Sequence, residues 1–118
     1  MNTPDNITTL ESNQIFVFGA NKEGNHAAGA AKTAVDKFGA IEGHGEGLQG
    51  QSYGIDTMSG WDAFKESADK FIHFAESNPQ YTFLLTKVGC GIAGYSEAEV
   101  SSLFERSTEN VLKPKNWV

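Results

Sequence analysis

The sequence predicts an α/β fold, a three-layer α/β/α sandwich built around a mostly parallel or mixed central sheet. Short, wholly apolar runs alternate along the chain with longer segments in which apolar residues recur at helical spacing. Clusters of glycine separate the two kinds of segment, as expected of loops that join strands to helices. Because the chain has 118 residues and no internal repeat or low-complexity tract, residues 1–118 are expected to form one domain.

The first half of the chain predicts a strand, a helix and a second strand. Residues 14–18 (QIFVF) are apolar or aromatic almost throughout, which is typical of a strand buried on both faces. Residues 26–38 place alanines at helical spacing, so this helix is expected to lie close to the sheet and to stop at Gly39. Residues 52–57 (SYGIDT) predict a short strand, and residues 7–10 are a candidate for another.

The second half predicts a long helix, a buried strand and a capped helix. The long helix ends before Asn78 and Pro79, and its apolar stripe comprises Trp61, Phe64, Ala68, Phe71 and Ala75. Residues 81–86 (YTFLLT) predict the buried strand. Ser96 and Glu99 match the capping-box pattern at the start of a helix whose apolar face holds Val100, Leu103 and Phe104. Residues 111–118 predict an edge strand or a tail packed on the core.

Composition narrows the classes of function. Fifteen acidic and nine basic side chains give a net charge of −6, which argues against a DNA or RNA duplex gripped by Lys and Arg. The single cysteine excludes an internal disulfide framework and a multi-cysteine zinc site, and three scattered histidines predict no metal and no cofactor. No run approaches the ~20 apolar residues of a membrane span, so we expect a cytoplasmic protein without a membrane partner.

The 13 glycines fall in three clusters. Seven lie within residues 39–60, three follow at 89, 91 and 94, and three stand at 19, 24 and 29. In α/β sheets ligands bind outside the carboxyl ends of the strands, where two of these clusters are predicted to lie. Backbone N–H groups and helix N-termini bind phosphate without a basic side chain, so a nucleotide site suits an acidic chain. The alternative is that the glycines only permit tight turns.

Other familiar motifs are missing. The chain has neither the P-loop pattern nor a G-x-S-x-G elbow, and no helical pattern follows the glycines at 43, 45 and 47 as a dinucleotide fingerprint requires. A nucleophilic pair of Cys90 with a histidine is a weak alternative, because a small residue between two loop glycines needs no chemistry. His26, at the predicted helix start, is the histidine best placed to touch a ligand, whereas His73 is expected to be solvated.

Four stretches, in order, resemble one known family. They are residues 15–21 (IFVFGAN), residues 25–31 (NHAAGAA), Leu48 with residues 52–57, and residues 87–95 (KVGCGIAGY). Together they resemble the macro domain, an ADP-ribose-binding α/β module. The Gly-Cys-Gly loop is similar to the branch that includes terminal ADP-ribose hydrolases and DNA-ADP-ribose reversal enzymes, and this chain would be a short, divergent member.

The resemblance implies a set of ligand-binding residues. Asn21 would lie near the distal ribose, and the backbone of residues 25–28 near the diphosphate. The full set is Gly19, Ala20, Asn21, Asn25, His26, Ala27, Ala28, Val88, Gly89, Cys90, Gly91, Ile92, Ala93, Gly94 and Tyr95. The family's adenine-contacting Asp has its nearest candidates here in Asp5 and Asn6, one residue out of register with Asn21.

The leading hypothesis is binding of ADP-ribose or a related nucleotide in a crevice of glycine loops, to sequester or sense a signal nucleotide in a bacterial or phage setting. The first alternative is an ADP-ribosyl hydrolase that removes ADP-ribose from a macromolecule. In that enzyme, substrate phosphate and Asn21 would orient a water, and His26 or Asp56 would be the acid–base partner. The second alternative is a small interaction protein that uses exposed aromatic residues such as Tyr95 and Trp117.

Overall fold

A computed structural model describes residues 2–4, 7–24 and 29–117. In chain order the elements are β1 (Gln14–Ala20), α1 (Gly29–Lys37), β2 (Gly47–Gln49), β3 (Ser52–Asp56), α2 (Trp61–Ser77), β4 (Thr82–Leu85), α3 (Glu97–Ser102) and β5 (Val111–Leu112). The five strands form one mixed sheet in the order β2-β3-β1-β4-β5. β1 pairs in parallel with β3 and β4, β4 pairs in parallel with β5, and only β2 is antiparallel to its neighbour. The predicted α/β fold with a mixed sheet is confirmed.

Helices cover both faces of the sheet, because side chains of the central strand alternate between them. Ile15 and Val17 face α2 and α3, in a core cluster that also holds Phe64, Phe71 and Val100. The side chains on the other face of β1 join α1; they are Phe16, Phe18 and Ala20, with Ala31, Ala34 and Phe38 as their partners. The arrangement is therefore α1 on one side of the sheet and α2 with α3 on the other.

Most predicted elements are confirmed. β1 contains the apolar run and continues two residues beyond it, to Ala20. The amphipathic stripe of α2 is buried at Phe64, Ala68, Phe71 and Ala75. The capping box exists: Ser96 Oγ accepts a hydrogen bond from Glu99 N–H at 3.2 Å, and the Glu99 carboxylate accepts one from Ser96 N–H at 3.2 Å. Both alternatives for residues 111–118 are found: residues 111–112 form an edge strand, β5, and Trp117 packs on the core.

Two features of the sheet differ from prediction. Residues 7–10 are not a strand; Ile7 and Leu10 instead pack against the α1 side of the core. The N-terminal segment joins the sheet earlier, where Asn2 bridges Lys113 and the Thr3 hydroxyl donates to the carbonyl oxygens of two strand residues, Leu85 and Leu112. β2 has no prediction in the sequence, because its three residues, the first of them Gly47, are too few to show a periodicity.

The helix predicted for residues 26–38 is described from Gly29 to Lys37, and the predicted site residues Asn25, His26, Ala27 and Ala28 lie outside the described residues. Asp5 and Asn6, the adenine candidates, also lie outside them. Within the ranges that the structure describes, no helix is both long enough and apolar enough to cross a membrane.

Candidate functional site

A cleft of about 420 Å³ opens at the carboxyl ends of the three central strands. Residues 19–21 reach it from the end of β1, Thr57 and Met58 from the end of β3, and residues 86–89 and 91–93 from the end of β4. The first turn of α1, residues 29–31, forms another wall. Because β1 is parallel to both of its neighbours, these three strand ends meet at one edge of the sheet.

Glycine allows the loops to approach closely at two points of this cleft. A Cβ on Gly19 would lie 3.2 Å from the Thr57 methyl carbon, at the contact between the ends of β1 and β3. Gly89 has a φ of 77°, and a Cβ there would lie 2.5 Å from the Phe64 ring. A side chain at Gly89 would therefore be strained in its backbone and would collide with the α2 core.

The loop after β4 presents backbone donors that the protein itself leaves unused. Four of its N–H groups are bonded internally. Those of Val88 and Cys90 donate to the carbonyls of Thr86 and Lys87, and those of Gly94 and Tyr95 to the carbonyls of Gly91 and Gly89. The N–H groups of the cleft residues Gly89, Gly91, Ile92 and Ala93 donate to no group in the described part of the chain. Such successive free N–H groups suit the oxygens of an anion.

The charge lining the cleft is opposite in sign to that of the chain as a whole. Although the chain has 15 Asp and Glu residues, none of them is among the described residues that line the cleft, and Lys87 is. Lys87 Nζ lies 3.3 Å from a carboxylate oxygen of Glu97, on the exposed rim. The indole N–H of Trp117 donates to the same carboxylate at 3.0 Å, and this bond, together with that from Lys87, lowers the pKa of Glu97.

Eight of the predicted ligand-binding residues come together in the cleft. They are Gly19, Ala20, Asn21, Val88, Gly89, Gly91, Ile92 and Ala93. Cys90, Gly94 and Tyr95 are not among its lining residues. The Tyr95 ring packs on the α2 side, with its centroid 5.0 Å from that of Trp61.

Cys90 and Asp56 have local structural partners. The Cys90 thiol lies 3.7 Å from the Val88 carbonyl oxygen, and partial burial, followed by the charge of Glu97, raises its pKa. A raised pKa keeps the thiol protonated, the opposite of what a nucleophile needs. Asp56, predicted as an acid–base partner, accepts a hydrogen bond from Met58 N–H at 3.1 Å and does not line the cleft.

Several residues that line the cleft were not among the predicted ligand-binding residues. They are the α1 residues 29–31, Thr57, Met58, Thr86 and Lys87. The positions of the last four carry a usable signal, because each directly follows, or lies within two residues of, the end of a parallel strand. Met58 is half-exposed and Ile92 is 85% exposed, so both present apolar surface at the cleft.

The remaining candidate residues, two histidines and Trp117, do not form a site in the described part of the chain. The His44 ring nitrogen Nε2 lies 3.1 Å from the Glu46 carbonyl oxygen, and His73 is exposed on α2. No group of three His, Cys, Asp or Glu side chains within residues 2–4, 7–24 and 29–117 is placed to hold a metal ion. Trp117, predicted as an exposed aromatic of an interaction surface, is instead buried against Phe104, with ring centroids 6.3 Å apart.

The chain has no significant match among protein-family models, curated proteins or solved structures. The geometry of the cleft is therefore the basis for assigning a function.

Proposed function

We propose that this protein binds ADP-ribose or a related nucleotide derivative in the cleft, with the diphosphate held by backbone N–H groups. One observation carries the proposal: the described lining of the cleft offers four backbone N–H donors without a partner, one lysine and no carboxylate. In a chain of net charge −6, a cleft that excludes carboxylates favours an anionic occupant.

The backbone around the cleft supports a diphosphate in particular. The first described turn of α1, residues 29–31, lines the cleft, and the first N–H groups and the dipole of a helix favour negative charge there. The loop after β4 contributes its own free donors to the same cleft. Two separate groups of donors suit two linked phosphates better than a single small anion. The resemblance of both loops to those of the macro domain supports ADP-ribose as the nucleotide.

Binding is favoured over hydrolysis. A general acid or base must reach the reacting atoms within hydrogen-bond distance, and no carboxylate, imidazole or thiol is found among the described lining residues. The Asp56 carboxylate is engaged with the backbone of its own turn. ADP-ribosyl hydrolysis remains the alternative, with Asn21 at the cleft as the residue that would orient a water.

Titration calorimetry with ADP-ribose tests the proposal, with adenosine as the matched ligand that lacks the diphosphate. We expect saturable heat with ADP-ribose and none with adenosine at the same concentration. Absence of heat with ADP-ribose, NAD and the cyclic ADP-ribose isomers would show that the proposal is wrong.

Mass spectrometry separates the two versions of the proposal. After overnight incubation with the protein, ADP-ribose and an ADP-ribosylated protein are expected to be recovered intact. Release of ADP-ribose from the modified protein would establish the hydrolase instead. A binder of this kind would act in the cytoplasm, where it would sequester or sense a nucleotide signal of a bacterial cell or its phage.

A further inference from the structure

Lys87 lies where the cleft meets a second cavity. That cavity has a volume of about 490 Å³, and on one side its lining runs along α1 from Ala30 to Lys37. Ala30, Thr86 and Lys87 line both spaces, so the two adjoin at these residues. Lys87 is the one lysine among the described residues that line the cleft. An anion bound in the cleft therefore lies close to the side chain of this lysine.

The ammonium group of Lys87 is paired with a carboxylate outside the described lining of the cleft. Lys87 Nζ lies 3.3 Å from Oε2 of Glu97, the first residue of α3. The other carboxylate oxygen, Oε1, accepts a hydrogen bond of 3.0 Å from the indole N–H of Trp117. Trp117 is buried in the core, whereas the side chains of Lys87 and Glu97 are each about half exposed. A buried indole therefore fixes the carboxylate, and the carboxylate holds the ammonium group.

The charge of Glu97 acts against an anion in the loop after β4. Burial, followed by the charge of Glu97, raises the pKa of the Cys90 thiol, and the charge of Lys87 lowers it by a smaller amount. Cys90 lies between Gly89 and Gly91, which supply two of the four free N–H donors of the cleft. A carboxylate that disfavours a thiolate at Cys90 disfavours a phosphate beside it for the same electrostatic reason. Glu97 therefore opposes the anion rather than helping to bind it.

The pair of Lys87 with Glu97 is weak enough to be exchanged. Both side chains are half exposed, so water and salt screen their attraction. A diphosphate carries about two negative charges, against one on the carboxylate, and its oxygens form charge-assisted bonds with an ammonium group. The lysine stem is flexible, so the ammonium group can turn from one partner to the other while the backbone stays in place. A diphosphate in the cleft therefore attracts this ammonium group more strongly than Glu97 does.

We propose that Lys87 changes partner when the nucleotide binds, leaving the Glu97 carboxylate for a phosphate, and that Glu97 thereby lowers the affinity of the cleft. The inference rests on the proposed function, since it takes the diphosphate to lie in the cleft. After the exchange the Glu97 carboxylate keeps its bond to the indole of Trp117 and stays half exposed to water. An affinity held down in this way lets the nucleotide leave as its concentration falls, which favours sensing over sequestration.

Calorimetric affinities for ADP-ribose test the inference in the unmodified chain, Glu97→Gln, Lys87→Gln and the variant with both substitutions. Salt at about 0.15 M screens the direct effect of a charge at an exposed position. Glu97→Gln is expected to bind about fourfold more tightly, because the lysine no longer has to leave a carboxylate. Lys87→Gln is expected to bind about tenfold more weakly, because one charge-assisted bond to the phosphate is lost. The double variant should agree with Lys87→Gln within about twofold, because Glu97 acts mainly through Lys87.

Two neighbouring residues of α2 provide matched controls. Glu66 and Lys65 are exposed and do not line the cleft, so Glu66→Gln and Lys65→Gln change the net charge equally without touching the site. Both are expected to leave the affinity within about twofold of that of the unmodified chain. Because Glu97 and Lys87 are half exposed, thermal unfolding of their variants is expected to match that of the unmodified chain.

The indole N–H resonance of Trp117 reports the exchange directly. The chain has two tryptophans, so in Trp61→Phe the remaining indole signal belongs to Trp117. Saturating ADP-ribose is expected to shift this signal, because the carboxylate that the indole bonds loses its cation. When Lys87→Gln is added, the ligand should leave the signal in place. A signal that does not move in Trp61→Phe, or that moves equally in both proteins, would overturn the inference.

The affinities separate the inference from the proposed function. If Glu97→Gln binds ADP-ribose no more tightly than the unmodified chain, the inference is overturned and the proposed function stands. A gain from Glu97→Gln that persists in the double variant would also overturn it, because Glu97 would then not act through Lys87. If none of these proteins binds ADP-ribose, the proposed function fails and the inference fails with it.

Discussion

Glycine has different roles in the two regions of the chain where it is most frequent. In the region from residue 43 to 54, backbones touch: a side chain on Gly54 would collide with the Gly45 carbonyl oxygen, and one on Gly45 with the Asn21 carbonyl oxygen. In the loop after β4, a Cβ on Gly91 would meet no atom within 4 Å. In the first region close contact between backbones requires glycine at residues 45, 50 and 54, whereas Gly91 borders the open cleft.

The comparison shows that glycine density alone does not locate a site. The richest cluster packs β2 and its flanking loops against the end of β1, and of the seven glycines in residues 39–60 none lines the cleft. The cleft glycines are fewer and lie where parallel strands end. Substitutions in the first region are therefore expected to lower stability, and substitutions of the cleft glycine Gly91 to lower ligand affinity.

Gly54→Ala is expected to have the largest effect. Its Cβ would overlap the Gly45 carbonyl oxygen, and Gly54 lies in a strand paired on both sides, so neither backbone can move away without breaking sheet contacts. We expect a loss of about 3 kcal/mol or more in the free energy of unfolding, measured with urea. Gly91→Ala is the control and should change that free energy by less than about 0.5 kcal/mol. An equal loss in both variants would contradict the distinction.

Gly91→Val is expected to lower ligand affinity without lowering stability. The valine side chain would project into the cleft without a backbone penalty, since Gly91 does not have a positive φ, and would occupy the space of the bound phosphate. Affinity for ADP-ribose is expected to fall at least about 100-fold, close to 3 kcal/mol, with unfolding unchanged. Ala98→Val places the same isopropyl side chain on the exposed side of α3 and should leave affinity intact. Unchanged affinity in Gly91→Val would place the ligand elsewhere.

Alkaline pH is expected to lower the free energy of unfolding through Tyr53, which lies in the region from residue 43 to 54. Burial, followed by the charge of Glu46, raises the pKa of Tyr53 to about 12, whereas the unfolded chain keeps a value near 10. The unfolded state therefore loses this proton first, so the stabilisation is complete below about pH 10 and is lost as pH rises toward 12. Between pH 9.5 and 11.5 we expect the chain to lose about 2 kcal/mol more unfolding free energy than Tyr53→Phe. Parallel loss in both proteins would show that Tyr53 is not responsible.

Ser96→Ala is expected to have the smallest effect. Ser96 caps α3 immediately after the cleft loop, and losing its bond to Glu99 N–H should cost about 1 kcal/mol in urea unfolding. Because the cleft N–H donors lie before the cap, ADP-ribose affinity is expected to change by less than about twofold. In Ser102→Ala the hydroxyl that is lost bonds only the Glu99 carbonyl among the groups that the structure describes, so this variant should be nearly neutral. A large loss of affinity in Ser96→Ala would mean that the cap positions the cleft loop.

Much of the fold could be predicted because its elements have local signals. The β1 run, the stripe of α2 and the capping box of α3 each express a periodicity or a side-chain pattern within a few residues. β2 and the bridge from Asn2 to Lys113 have no such signal, since their pairing partners are supplied by distant parts of the chain. Residues 7–10 show the converse: two apolar residues resembled a strand, but they serve as packing against the α1 side of the core.

The sequence by itself determined the α/β class, the order of the main elements and the presence of glycine loops after β1 and β4. These follow from the spacing of apolar residues and from glycine, which act over short distances. Only the tertiary structure decided that Thr57, Met58 and Lys87 share one cleft, that Asp56 does not line it, and that a second cavity with Lys37 adjoins it. Such features depend on which strand ends become neighbours, and that choice follows from burying both faces of the sheet at once.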